Sequence, residues 1–136
     1  MDDKISKKII MINLATFFFV WNIIFLAGAD KPPPIGFLWL VCLVLLLDIA
    51  QFFYLKRFLP RLQKKSKGLF FINLLYFFFG GLIVSVITIL TRMNIMSGLQ
   101  LIDIFIWIVL IIIPSLINGI FFYAFNIILL KKYKNS

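Results

Sequence analysis

The chain has 136 residues, of which 63% are apolar and 14% are charged, and its net charge is +9. Soluble domains average about 45–50% apolar and ~25% charged residues, so this composition excludes an ordinary soluble domain and predicts an integral membrane protein. The length leaves no room for a separate soluble domain of ordinary size. With no histidine and a single cysteine, Cys42, the sequence also lacks the usual metal ligand and the partner needed for a disulfide within the chain.

Four apolar segments reach the length of about 20 residues that a membrane-spanning helix needs. They cover residues 9–28, 35–55, 69–91 and 101–130. The runs are continuous rather than alternating, which favours an all-α protein with four transmembrane helices. The fourth segment is too long for an untilted span and contains Pro114, so we expect a tilt or a kink and regard Pro114 as a candidate hinge. Three prolines in residues 30–34 predict a stiff outer connector.

The distribution of lysine and arginine predicts the orientation. All basic residues except Lys31 and Arg92 lie at the amino terminus, between the second and third segments, or at the carboxyl terminus. Cytoplasmic loops carry an excess of these residues. We therefore expect a multi-pass protein of the cell (inner or plasma) membrane with both termini in the cytoplasm. This topology accounts for the positive charge, and no nucleic-acid partner is expected.

A short sequence repeat points to a duplicated architecture. The stretch "INLATFFF" at residues 12–19 returns as "INLLYFFF" at residues 72–79. Each copy starts a segment that leaves a basic stretch, and the following segment returns to another basic stretch. The pattern predicts two tandem helical hairpins, over about residues 1–68 and 69–136, related by an axis along the membrane normal. The alternative is convergence in a sequence that contains 17 phenylalanines.

The amino terminus also has the features of a secretory signal. Lysines precede an apolar run, and "AGA" at residues 27–29 matches a cleavage site. The run is longer than the ~7–15 residues typical of a signal core, and Asn13 and Asn22 interrupt it. We therefore expect residues 1–29 to be retained, and the repeat favours this because its first copy lies within them.

Polar residues recur at two depths in the four predicted spans. Counted inward from the cytoplasmic end, each span has one polar residue about 7.5 Å deep and another about 12 Å deep, at ~1.5 Å per residue. The two lie three residues apart and so share a helix face, which a bundle can turn inward. We call these eight residues the polar belt. Its first layer is Asn13, Gln51, Asn73 and Asn126, and its second layer is Thr16, Asp48, Tyr76 and Tyr123.

Two interpretations of the polar belt are open. Interhelical hydrogen bonds of ~0.6–2 kcal/mol between such groups can hold a bundle together, which would make the belt structural. Asp48 favours a binding or proton-handling site instead, because a charged carboxyl inside a span costs at least ~2.5–3.5 kcal/mol. No lysine or arginine lies within any of the four segments. We therefore expect Asp48 to be protonated or paired.

Smaller features have simpler interpretations. Gly80, Gly81, Ser115 and Gly119 predict close helix packing. Arg92 and Asp103 predict a surface ion pair that adds little stability.

The basic connection over residues 56–68 is a topology signal that also predicts contact with anionic lipid head groups, at about 1 kcal/mol per side chain. Its basic residues are Lys56, Arg57, Arg61, Lys64, Lys65 and Lys67.

The sequence contains no catalytic motif, so we expect no enzyme activity, no cofactor and no metal. Two functions remain. We favour an accessory or small subunit, or an immunity-type protein, that acts with a larger membrane complex, because so short a chain encloses only a modest cavity. The alternative is a small transporter or translocator of a lipid-linked anionic substrate, with a polar site near Asp48. That function would require a homo-oligomer or a larger membrane partner.

Overall fold

The computed structural model describes residues 3–27, 34–93 and 101–134, with the side chains at 24–27, 34–40, 88, 91–93, 103 and 134 outside its description. These residues form four helices and contain no strand, which confirms the all-α class. The helices are α1 (Asp3–Ala27), α2 (Pro34–Gln63), α3 (Leu69–Met93) and α4 (Leu101–Lys134). The connector before Pro34, the "AGA" stretch after Ala27 and the predicted pair of Arg92 with Asp103 lie outside the described part.

Three helices extend past the predicted segments at their basic ends, and α4 does so by four residues, to Lys134. α1 begins at Asp3 rather than at residue 9, and α2 continues past Leu55 to Gln63. The basic connection expected over residues 56–68 is therefore helical up to Gln63, which corrects the sequence prediction. α2 has 30 residues and is about 45 Å long, longer than the ~30 Å hydrocarbon core of a bilayer.

The end of α2 continues as a helix because it is amphipathic. Exposed basic side chains lie between its buried apolar residues, which are Leu55, Phe58, Leu59 and Leu62. Burial of this face offsets the backbone hydrogen bond that Pro60, inside the helix, cannot donate. The turn that follows includes positive φ angles at Lys65 (49°) and Gly68 (75°). Glycine adopts this left-handed conformation without steric cost, so Gly68 suits the position directly before α3.

The chain folds as two compact units. The first consists of Met1–Lys65 together with Leu129–Ser136, and the second of Ser66–Ile128. In the first unit α1 and α2 pack against each other. The last turns of α4 belong to that unit too, and there the Lys8 ammonium lies 4.6 Å from the centre of the Tyr133 ring. The tandem duplication of two hairpins stays a prediction.

In the first unit the buried face of α2 follows spacings of three and four residues. Its buried members are Val44, Gln51, Leu55, Phe58 and Leu62. Asp48 occupies the remaining position of this series, between Val44 and Gln51. α1 contributes the buried residues Ile9, Ile10 and Asn13. The spacing is that of helices packed along an apolar seam, so Asp48 lies on the packed side of α2.

In the second unit α3 and α4 approach closely through small residues. Every fourth residue of α3 is buried, in the series Leu69, Asn73, Phe77, Gly81 and Ser85. A Cβ atom added at Gly81 would lie 2.9 Å from the Cβ atom of Ser115 on α4. One added at Gly119 would lie 3.1 Å from the Phe77 side chain. Small residues let helix backbones approach to this distance, as they do in membrane helix pairs.

Two stretches of the described residues are long and apolar enough to cross a membrane, Leu69–Ile87 and Ile104–Tyr133. Their large apolar side chains are widely exposed, among them Phe71, Leu75, Phe79, Ile83, Phe105, Leu110 and Phe121. Soluble monomers rarely expose contiguous apolar patches beyond a few hundred Å², so such faces are typical of contact with lipid or a partner. Outside the described part lie the side chains at 24–27 of α1 and 34–40 of α2, together with residues 28–33 between the helices. Membrane spans at α1 and α2, and therefore four spans in all, stay a prediction.

Two adjacent glycines test the close approach of α3 and α4. Gly81→Ala should destabilise the protein by about 1–3 kcal/mol, because the new methyl group would overlap Ser115 on the facing helix. Gly80→Ala is the matched control. Nothing lies within 4 Å of its added Cβ atom, so this change should be neutral or stabilising through the higher helix propensity of alanine. Unfolding in mixed detergent micelles measures both. Equal effects would contradict the packing described above.

Candidate functional site

The first layer of the polar belt lies inside the protein. Asn13, Gln51, Asn73 and Asn126 are 0–4% exposed. Asn13 and Gln51 belong to the first unit, and Asn73 and Asn126 belong to the second. Burying an amide among apolar side chains is unfavourable unless the amide is hydrogen-bonded. The hydrogen bonds of these side chains therefore decide what the layer contributes.

Three asparagines of this layer donate hydrogen bonds to backbone carbonyl oxygens. The Nδ2 atoms of Asn13 and Asn126 donate to the carbonyl four residues earlier in their own helices, at 2.8 and 2.9 Å. Asn73 Nδ2 instead donates across to the Gly119 carbonyl oxygen on α4, at 2.7 Å. Asn13 and Asn73 are equivalent positions of the repeat. The second copy thus contributes an interhelical bond, which binds α3 to α4.

The second layer is less uniform. Asp48, Tyr76 and Tyr123 are half-buried, whereas Thr16 is exposed. The Tyr123 ring packs edge-on against Phe70 of α3, with 5.2 Å between the ring centroids. Such aromatic pairs stabilise a helix interface beyond the area that they bury. Thr16 therefore differs from the other belt residues, and it does not share the buried environment of Asn13 on the same helix.

Asp48 is the exceptional residue of the belt. Its Oδ1 atom is buried and has no hydrogen-bond partner within the described part of the chain. Buried polar atoms nearly always have a partner, so an exception requires a physical explanation. Across the described residues, no three His, Cys, Asp or Glu side chains come together as metal ligands would. Asp48 thus carries an unsatisfied hydrogen-bond acceptor on the packed side of α2.

α4 passes through Pro114 without interruption, and Pro114 is exposed. Because proline has no N–H group, the carbonyl of Leu110 loses its usual helical donor. Directly beside it, Ser115 Oγ donates to the Phe77 carbonyl oxygen on α3, at 2.6 Å. This bond and the nearby contact with Gly81 hold α4 against α3 next to the proline. A hinge at Pro114 stays a prediction.

All six basic residues expected to contact anionic lipid are exposed. They are Lys56, Arg57, Arg61, Lys64, Lys65 and Lys67. The Lys56 ammonium lies 4.3 Å from the centre of the Phe52 ring. The first unit contains all of these basic residues except Lys67. It exposes further basic side chains at the start of α1 and the end of α4, namely Lys4, Lys7, Lys8, Lys131 and Lys132. These groups can attract anionic head groups or an acidic partner.

Sequence reasoning treated the small residues of α3 and α4 as general packing and did not single out Ser85. This residue is fully buried, and its Oγ donates to the Gly81 carbonyl oxygen at 2.7 Å. The signal that identifies it is the four-residue spacing of Asn73, Phe77, Gly81 and Ser85. Spacing of this kind places all four side chains on one helix face.

Two serine substitutions compare a hydrogen bond between helices with one inside a single helix. Ser115 is half-buried and Ser85 is buried. Ser115→Ala removes the bond to Phe77 on the other helix and should destabilise the protein by about 0.6–2 kcal/mol. Ser85→Ala removes only a bond to the preceding turn of the same helix, so it should have a smaller effect. Thermal unfolding in detergent measures both variants. A larger loss for Ser85→Ala would show that the interhelical bond contributes little.

No protein-family model, curated protein or solved structure matches this chain. The functional inference therefore rests on the packing, burial and charge of the chain's own residues.

Proposed function

We propose that this chain is a small non-enzymatic, multi-pass membrane protein that acts as an accessory subunit, or an immunity-type protein, of a larger membrane complex. All four helices cross the membrane in this proposal, and both termini lie in the cytoplasm. The exposed basic residues at the ends of α1, α2 and α4 support that orientation, because positive charge is retained on the cytoplasmic side.

The observation that carries the proposal is the close packing of α3 against α4. A Cβ atom added at Gly81 would already lie too close to Ser115, so no passage for a substrate exists between the helices at this point. Asn73 and Ser115 both donate hydrogen bonds across the interface, so these two donors stabilise the helix pair. In this proposal the outer surface of the helices carries the function.

That outer surface has a regular apolar pattern on α3. Its exposed residues follow spacings of three and four, in the series Ile72, Leu75, Phe79, Ile83, Val86 and Leu90. A stripe with this spacing is what one membrane helix presents to another or to lipid. Similar exposed apolar residues occur on the other helices, so a partner has several faces available.

A second candidate function is translocation of a lipid-linked anionic substrate by a homo-oligomer. The observation that favours it is the set of exposed basic side chains in the same unit as Asn13, Gln51 and Asp48. In this function the basic groups would gather the substrate and the polar residues would admit its polar part. The lipids and proteins that remain bound after extraction distinguish the two candidates.

Native mass spectrometry of the protein, gently extracted from its own membrane, is the first test. We expect co-release with a larger membrane protein. Each helix exposes at least one phenylalanine, and one from each is chosen for alanine substitution: Phe19, Phe53, Phe79 and Phe121. At least one of these four substitutions should release the partner while the free energy of unfolding changes by less than ~0.5 kcal/mol.

The matched control is Phe77→Ala on α3. Phe77 is 7% exposed and its ring lies 5.2 Å from that of Phe122, so its loss should cost about 3–5 kcal/mol of stability. A homo-oligomer that retains an anionic lipid and no larger protein would contradict the accessory function and favour translocation.

A further inference from the structure

One oxygen of the Asp48 carboxyl, Oδ1, lacks a partner in the part of the chain that the structure describes. Its Oδ1 atom is buried there without a hydrogen bond, although its neighbours in the buried series, Val44 and Gln51, are packed. An ionised carboxyl surrounded by apolar side chains is strongly disfavoured unless a cation or hydrogen-bond donor meets it. An ionised Asp48 therefore requires a cation or a hydrogen-bond donor that the described residues do not supply to its Oδ1 atom.

Among the described residues, no basic group is a hydrogen-bond partner of the Asp48 Oδ1 atom. No lysine or arginine lies in the apolar segments, and the next cation along α2, Lys56, is about 12 Å away along the helix axis. The Lys56 ammonium lies over the Phe52 ring at 4.3 Å, and the Lys8 ammonium lies over the Tyr133 ring at 4.6 Å. Both are engaged near the basic ends of their helices.

Asp48 as a residue is also partly exposed outside the seam, although its Oδ1 atom is buried. The residue is only half-buried, and the adjacent positions Leu45 and Ile49 are 47% and 55% exposed. Leu45 lies three residues before Asp48 and therefore on a neighbouring part of the same face. A helix packed against Leu45 and Ile49 would bring its side chains within reach of the carboxyl.

We propose that Asp48 is the docking point for a lysine or arginine side chain carried by a membrane-spanning helix of the partner complex. The cation pairs with the carboxylate in a charge-assisted hydrogen bond, which is stronger than a neutral one. The basic residue of the partner lies level with Asp48, about 12 Å along the helix axis from the level of Lys56. This inference rests on the accessory function proposed above and specifies the chemistry of the partner.

The test uses a synthetic membrane-spanning peptide of leucine and alanine with one lysine at this depth, and a second peptide with leucine in its place. The full chain carries a fluorescent donor at its amino terminus and is reconstituted with acceptor-labelled peptide in phosphatidylcholine vesicles. We expect the lysine peptide to bind about tenfold more tightly than the leucine peptide, because interhelical polar contacts in membranes reach this strength. Asp48→Asn should remove the preference, and Asp48→Glu should keep it.

The inference is overturned if the wild-type chain binds both peptides equally, or if Asp48→Asn still prefers the lysine peptide. Thermal unfolding of each variant verifies its folding, and Asp48→Glu provides a charged variant if the asparagine form is unstable. If a native partner co-purifies but the peptides are not distinguished, the accessory function stands and the Asp48 site fails. If the peptides are distinguished but no larger partner co-purifies, the accessory function fails.

Discussion

The close approach of α3 and α4 at Gly81 and Ser115 is the constraint on which the second unit depends. Between apolar helices in lipid there is little hydrophobic driving force, so association relies on van der Waals contact and interhelical hydrogen bonds. The missing side chain at Gly81 lets Ser115 reach the Phe77 carbonyl, while Asn73 reaches the Gly119 carbonyl from the other helix. Each helix thus supplies one donor and one acceptor, and the two bonds fix the register of the pair.

The first unit is built differently from the second, although the stretch at residues 12–19 of α1 recurs at residues 72–79 of α3. Its α2 helix packs through large apolar residues at spacings of three and four, and lysines lie over aromatic rings near its basic end. The repeated asparagine also has different partners, since Asn13 bonds within its helix and Asn73 bonds across to α4. In the first unit, the Asp48 Oδ1 atom is buried and has no hydrogen bond among the described residues.

The helices and the buried amides were predictable because apolar length and the spacing of polar residues are local properties of the sequence. The continuation of α2 through Pro60 was not, since its dense basic residues resemble a loop and only burial of Leu62 and its neighbours reveals a helix face. Gly80 and Gly81 are equivalent in sequence, and the rotation of α3 alone decides which one faces α4. The exposure of Thr16 depends on the rotation of α1 in the same way.

The contact between Lys8 and Tyr133 joins the start of α1 to the last turns of α4. During synthesis α1 leaves the ribosome before α4, whose last turns complete the first unit. Domains generally form as units as the chain emerges, but this unit cannot close until the last turns of α4 have been made. Until then, one side of the basic ends of α1 and α2 stays uncovered. A fusion placed directly after Tyr133 would disturb the first helix as well as the last.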